Sequence, residues 1–294
     1  MNRTLTVFTS TYNRISTLPR TYESLCKQTC KDFTWLIIDD GSTDNTGDIV
    51  KKWQSENLIP IRYIYKENGG LHTGYNKAIE LIDTELAMSV DSDDWLPNDA
   101  VEKIVTFWNA NKSEDVAGIL GLDFTEEGKP LGGYLPDSAK KMKFIELGYR
   151  YHHQGDVKMV HRSELLKQVA PMPSFGKEKF FNPIYLFHKI DMNYPLLVLN
   201  DNLCYVEYQE DGMTNNIFKQ YVDSPKSFSE IRKVVMSRPD APFALKFRNA
   251  IHYVSSQIMI RNKNWLKESP QKAMTVCAAP LGLLLYLYIK MKSK

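Results

Sequence analysis

Short apolar runs, each closed by a polar loop, alternate with helix-periodic stretches through the first third of the chain. Residues 4–9 (TLTVFT) are rich in β-formers. They give way to the polar Ser10-Thr11-Tyr12-Asn13-Arg14, after which Leu18, Tyr22, Leu25 and Cys26 recur at helical spacing. Residues 35–38 form a continuous apolar strand, closed by Asp39-Asp40-Gly41-Ser42-Thr43-Asp44 and followed by a helical pattern over residues 47–53. A third strand, residues 61–65, runs into Glu67-Asn68-Gly69-Gly70 and a helix carrying Tyr75, Ala78, Ile79 and Ile82. A fourth, residues 86–90, runs into Asp91. This repetition predicts an α/β fold, a mostly parallel sheet flanked by helices on both faces. In open sheets of that kind ligands gather at the carboxyl ends of the strands, so the polar loops should converge on one site.

Beyond Asp94 the pattern is less regular. It predicts a helix over residues 99–111, a strand at 116–122, a hairpin-like stretch at 128–134 and a strand at 157–161. Short helices follow at 163–169 and 183–190, with strands at 196–199 and 204–208. From Ser227 the signal is helical, including a long amphipathic run over 243–260. Residues 273–289 (AMTVCAAPLGLLLYLYI) carry no charge and lead into Lys290, Lys292 and Lys294. That length is at the lower limit for a membrane span, and Pro280 with Gly282 is expected to interrupt it. An interfacial helix against an anionic leaflet fits better, with a buried core helix as the other reading.

A chain of 294 residues, 43% apolar, can bury one large core and a smaller appendage. The formal net charge is +2 with no basic stripe, which argues against nucleic acid as a partner. The chain does not open on a charged segment followed by an apolar one, and its four cysteines show no disulfide or zinc spacing, so a cytoplasmic location is expected. Cys26 and Cys30, four apart on an expected helix, read as structural rather than metal-binding.

Candidate chemistry lies in the acidic loops. Asp91-Ser92-Asp93-Asp94 sets three carboxylates in four residues directly after a strand. Their repulsion is relieved by a hard divalent cation, which takes oxygen ligands and leaves positions for substrate phosphates. The alternative is a helix cap, for which one such residue suffices. In the 39–44 loop, Gly41 permits a tight turn and Ser42 or Thr43 can cap a helix. Two aspartates at the strand end remain, and they can accept hydrogen bonds from a nucleobase or ribose. Neither a Gly-x-Gly-x-x-Gly fingerprint nor a phosphate-binding lysine loop follows the first strand, which excludes the usual dinucleotide and P-loop patterns.

Taken together and in this order, Ser10 through Arg14, Asp39 through Asp44, Glu67 through Gly70 and Asp91 through Asp94 resemble family 2 glycosyltransferases with the GT-A fold. The likeness is clear over the first 110 residues or so and continues through Gly155-Asp156, Glu178-Lys179-Phe180 and residues 207–215 (EYQEDGMTN). It implies a glycosyltransferase domain over 1–225, with a donor half at 1–112 and an acceptor half at 113–225, and a helical, membrane-associating extension over 226–294. By similarity, Thr11, Tyr12, Asn13, Arg14, Asp39, Asp40 and Asp91 would hold a nucleotide-sugar donor, with Arg14 near the phosphates. Asp91 and Asp93 would hold manganese or magnesium.

Two positions depart from the family pattern. Leu71 precedes His72 where a basic residue is common, and Pro183 stands where an acidic residue would serve as general base. Glu178 and Asp156 are the acidic substitutes, with Asp191 behind them. The reaction implied is inverting transfer from a UDP-sugar to a hydroxyl of a surface glycan or lipid-linked acceptor at the inner face of the cytoplasmic membrane. A nucleotide-sugar-binding pseudoenzyme and a nucleotidyltransferase are the alternatives.

Overall fold

The computed structural model describes residues 3–207 and 216–293. In chain order its elements are β1 (Leu5–Thr11), α1 (Leu18–Cys26), β2 (Phe33–Asp39), α2 (Thr46–Glu56), β3 (Ile61–Tyr65), α3 (Leu71–Leu81), β4 (Leu86–Ser89) and α4 (Ala100–Asn111). There follow β5 (Gly118–Phe124), β6 (Lys141–Met142), α5 (Glu146–Tyr149), β7 (Val157–Arg162), α6 (Ser163–Val169), α7 (Ile184–Asp191) and β8 (Leu196–Tyr205). The last four are α8 (Ile217–Asp223), α9 (Pro225–Ser237), α10 (Phe243–Ile260) and α11 (Lys272–Lys292).

Two compact units result, one of Met1–Pro171 with Asn193–Glu207, the other of Met172–Met192 with Tyr208–Lys294. The stretch containing Glu178 and Pro183 therefore groups with the C-terminal helices.

The eight strands among the described residues lie in the first unit in one sheet, ordered β3-β2-β1-β4-β7-β5-β8-β6. β3, β2, β1 and β4 are mutually parallel, as are β5 and β8, while β7 runs antiparallel to both β4 and β5. Every residue of β2 is buried, as a parallel strand covered on both faces requires. On one face Tyr22 of α1 stacks on Trp53 of α2 at 4.3 Å, and both stack near Trp35 of β2. The Trp35 indole donates to Thr9 Oγ1, which donates to the Val90 carbonyl, so three strands are tied where the loops begin. On the other face α3 lies directly on β1. A Cβ at Gly74 would stand 2.1 Å from Ser10 Oγ, a separation that only glycine permits.

The second unit is helical. Met236, Ala250, Tyr253, Val254 and Ala278 form the core between α9, α10 and α11. Arg238, fully buried, pairs with Asp191 and Asp240 at 2.8 Å each and donates to the carbonyls of His188 and Asp191.

The structure corrects several details of the sequence reading. The two strands expected at 196–199 and 204–208 are one, β8, whose polar middle is carried by register shifts against β5. Ile82 caps α3 instead of lying within it, and Cys30 falls beyond the end of α1. All four cysteines are free. Pro280 and Gly282 do not interrupt α11. Pro280 is exposed, so water can reach the carbonyl it leaves unbonded, and Gly282 faces α10. β6, α5 and α8 have no counterpart in the sequence reading.

Candidate active site

The loops after β1, β2 and β4 meet at the carboxyl ends of three adjacent parallel strands, where Thr11 pairs with Asp39 in register. Asp40 N–H donates to the Thr11 carbonyl, 2.8 Å, and Val90 N–H donates to the Phe8 carbonyl, 2.9 Å.

Asn13 adopts the left-handed conformation, φ 52°, which asparagine tolerates. Its side-chain oxygen accepts from Thr43 N–H at 2.8 Å and its own N–H donates to Ser42 Oγ at 2.9 Å, so the first two loops are bound into one wall. Tyr12 projects its ring with 47% of its surface exposed. Thr11 beside it is buried, and its hydroxyl has no hydrogen-bond partner among the described residues.

The two aspartates after β2 are used differently. Asp39 is buried, accepting from Ser42 N–H at 2.7 Å and from the Tyr63 hydroxyl at 2.6 Å. Burial and the hydrogen bond to Asp39 push the Tyr63 pKa up, so the phenol keeps its proton. Each carboxylate oxygen of Asp39 retains acceptor capacity. Asp40 is committed to the neighbouring turn, taking the amides of Gly69 and Gly70 and the Lys66 ammonium. Gly41, at φ 86° and packed on the Asn68 backbone, lets the chain turn between Asp40 and Ser42.

The third loop is held from below by α1. Arg20 donates to the Asp93 carbonyl at 2.6 Å, pairs with Glu207 at 2.6 Å and lies 3.9 Å over the Trp95 ring, while Thr21 Oγ1 donates to the Asp94 carbonyl. Its three carboxylates diverge. Asp94 is buried, 3.5 Å from the Lys158 ammonium on β7; Asp123, also buried, lies 3.7 Å from the same ammonium. Burial pushes Asp94 up and Asp123 up to about 6, with Lys158 opposing both. Burial would lower Lys158, but Asp123, Cys204, Asp94 and Asp91 outweigh it and hold the ammonium charged.

Asp91 keeps solvent-accessible surface yet is densely surrounded. Desolvation raises its pKa, Lys158 and Arg14 lower it, and Asp93 and Asp156 raise it further. Asp156, exposed just before β7, thus bears on Asp91 and also on Asp123.

Among the described residues no group of three His, Cys, Asp or Glu side chains is arranged to hold a metal ion alone. Asp91 and Asp93, open or half-open to solvent while Asp94 is neutralised by Lys158, fit a hard cation whose other ligands are phosphate oxygens and water.

Glu178 belongs to the helical unit, buried, accepting from the amides of Lys226 and Ser227 at 3.0 and 2.9 Å and from Ser227 Oγ at 2.7 Å. These are first-turn amides of α9, so the carboxylate serves there as a helix cap. Asp191 is held by Arg238. Pro183 begins α7. Of the 207–215 stretch, residues 208–215 lie outside the described residues.

The sequence reading missed Lys158, Asp123, Tyr63 and the Arg20 clamp. A lysine at an inward position of β7 becomes visible as a buried charge only once β7 is known to lie between β4 and β5.

Among solved structures, the chain superimposes on S. aureus TarS 1-349 in complex with UDP with a TM-score of 0.60 at 19% identity, covering 99% of this chain and 88% of that one. It superimposes on the mannosyltransferase PcManGT of Pyrobaculum calidifontis, solved in complex with GDP-Man and Mn2+, with a TM-score of 0.60 at 15% identity, covering 100% and 84%. The fold is that of a GT-A glycosyltransferase. The model of Glycosyl transferase family 2 matches residues 6–169, more than half of the chain, and the chain belongs to that family. Glycosyltransferase GlyA of Streptococcus pneumoniae is 36% identical over 100 residues, 34% of this chain and 14% of that protein. The poly(ribitol-phosphate) beta-N-acetylglucosaminyltransferase TarP of Staphylococcus aureus is 26% identical over 210 residues, 67% of this chain and 63% of that protein. The chain thus spans less than two thirds of the length of either relative.

Proposed function

We propose that this family 2 glycosyltransferase moves a hexose or N-acetylhexosamine from a UDP-sugar to a hydroxyl of a surface glycan or lipid-linked acceptor, with inversion and with a divalent metal. The observation that carries the reading is the convergence of the Thr11–Arg14, Asp39 and Asp91–Asp93 segments at the ends of adjacent parallel strands. TarS bound to UDP and TarP, named for N-acetylglucosaminyl transfer, support the donor class.

In this reading Tyr12 stacks on the base, and the spare acceptor capacity of Asp39 and the unpaired Thr11 hydroxyl meet the base and ribose. Arg14 approaches the phosphates. Asn13 and Asp40 shape the loops around the donor. Asp91 and Asp93 would hold manganese or magnesium, which when bound supplies positive charge to the leaving diphosphate.

The acceptor hydroxyl must lose its proton as it attacks the anomeric carbon. Asp156, exposed and electrostatically linked to Asp91, is the preferred base. Glu178 remains the other sequence candidate, and its capping bonds weigh against it. The region 226–294 serves as a membrane-associating extension that places the enzyme at the inner face of the cytoplasmic membrane. The test is a donor screen by release of nucleoside diphosphate, with and without manganese and a glycan acceptor. Metal-dependent UDP release that rises with acceptor is expected; binding without release, or release of pyrophosphate from a nucleoside triphosphate, would overturn the reading.

A further inference from the structure

The two sides of α11 differ sharply. Advancing about 100° per residue, the buried Thr275, Ala278, Gly282 and Ile289 fall in one sector about 60° wide that faces the protein. Gly282 sets the close approach, because a Cβ there would stand 2.5 Å from the Val254 side chain of α10. On the opposite side Val276, Leu283, Leu284, Leu287, Tyr288 and Met291 are exposed, spanning an arc of about 140° at the same helical spacing. Leu284 and Met291, near the middle of the arc, are 62% and 64% exposed.

Lysines border this arc on both flanks, Lys272 and Lys290 on one and Lys292 on the other. No Asp or Glu occurs anywhere in the helix. At its N-terminal end the apolar surface continues into α10. There Phe243, 71% exposed, and Lys246 line a cavity of about 550 Å³ together with Ala273, Met274 and Cys277.

Three occupants can cover such a face, and the charges choose among them. A second copy would bring lysine flanks together with no acid to answer them. A spanning α11 would carry its packing partner α10, with Lys246 and Arg248, into the hydrocarbon, because the two are packed together through Ala278 and Gly282. An anionic bilayer surface satisfies both the apolar arc and its flanks, because lysine stems lie along the acyl chains while their ammonium groups reach lipid phosphates.

Resting on the membrane-associated reading above, we propose that α11 docks lengthwise on an anionic bilayer, burying its Val276 to Met291 arc among the acyl chains without crossing. The full chain is tested by co-sedimentation with phosphatidylcholine vesicles with and without 30% phosphatidylglycerol. Leu284→Gln/Leu287→Gln, both at exposed positions, should weaken partitioning by about 100-fold. Lys290→Gln/Lys292→Gln should weaken it by about 25-fold on the anionic vesicles and little on the neutral ones. Leu284→Trp should be quenched by brominated acyl chains.

Wild-type binding that survives the leucine changes would overturn the assignment of this face while leaving membrane association intact. A dimer in sedimentation velocity that those changes dissociate, with no vesicle binding, would replace the bilayer by a second copy. Absence of vesicle binding by the wild type would remove both the docking and the membrane reading. The nucleotide-release assay, read on the same preparation, keeps sugar transfer separate.

Discussion

Replacing Lys158 by methionine should destabilise the strand-bearing unit by about 3–5 kcal/mol, the range for breaking a buried ion pair from one side. Lys158 is 8% exposed, its ammonium 3.5 Å from Asp94 and 3.7 Å from Asp123. At an effective dielectric near 20, attraction at such distances is worth roughly 4–5 kcal/mol per pair, most of it offset by the cost of burying the charges. Methionine fits the lysine stem but leaves two buried carboxylates uncompensated. The loss should therefore exceed that of an ordinary surface ion pair, about 0–1 kcal/mol. Urea unfolding at one fixed pH, for wild type, Lys158→Met, Asp94→Asn and the double variant, measures the coupling directly. The double variant should be more stable than Lys158→Met alone, with a coupling energy of about 2 kcal/mol or more. A single variant costing under about 1 kcal/mol, or strictly additive effects, would refute the claim that Lys158 is coupled to the buried Asp94.

Asp91→Asn and Asp93→Asn should each abolish manganese-supported UDP binding in calorimetry while the urea midpoint changes little; retained affinity in both would sink the metal assignment. Asp156→Asn should lower transfer by about 100-fold at unchanged UDP affinity, whereas Glu178→Gln should cost about 1–2 kcal/mol of stability and leave transfer per folded molecule nearly intact. Reversal of those two outcomes would return the base to Glu178. Burial lowers His161 to about 3, and burial aided by Arg238 and Arg232 lowers His188 to about 3, against about 6.5 unfolded. Below pH 6.5 the unfolded chain binds more protons, so stability should fall with pH by up to about 1.4 kcal/mol per unit for each histidine. Comparing urea midpoints at pH 7 and 5.5 for wild type and His161→Gln checks this, and an unchanged pH slope in the variant would count against it.

How much of this was legible in the sequence depended on how local the signal was. Strands β1 to β4 and their helices were readable because each apolar run is closed by its own polar loop, and the donor-side loops were readable for the same reason. The meaning of an individual acid was not. Asp39 and Asp40 are neighbours of identical chemistry, yet one retains acceptor capacity at the strand end and the other is consumed by the Gly69 and Gly70 amides. Asp91, Asp93 and Asp94 likewise look equivalent until β7 delivers Lys158 beneath one of them from 64 positions along the chain. The same dependence explains Glu178. Its motif position suggested catalysis, but the partners that occupy its oxygens lie 48 and 49 positions away, at the start of a helix no local pattern connects to it. Carboxylate chemistry in this protein is assigned by distant donors, so the acids open to a substrate are those that the fold leaves facing solvent. Asp91, Asp93 and Asp156 keep solvent access where Asp40, Asp94 and Glu178 do not, and that difference is why the base and metal roles are placed on the former.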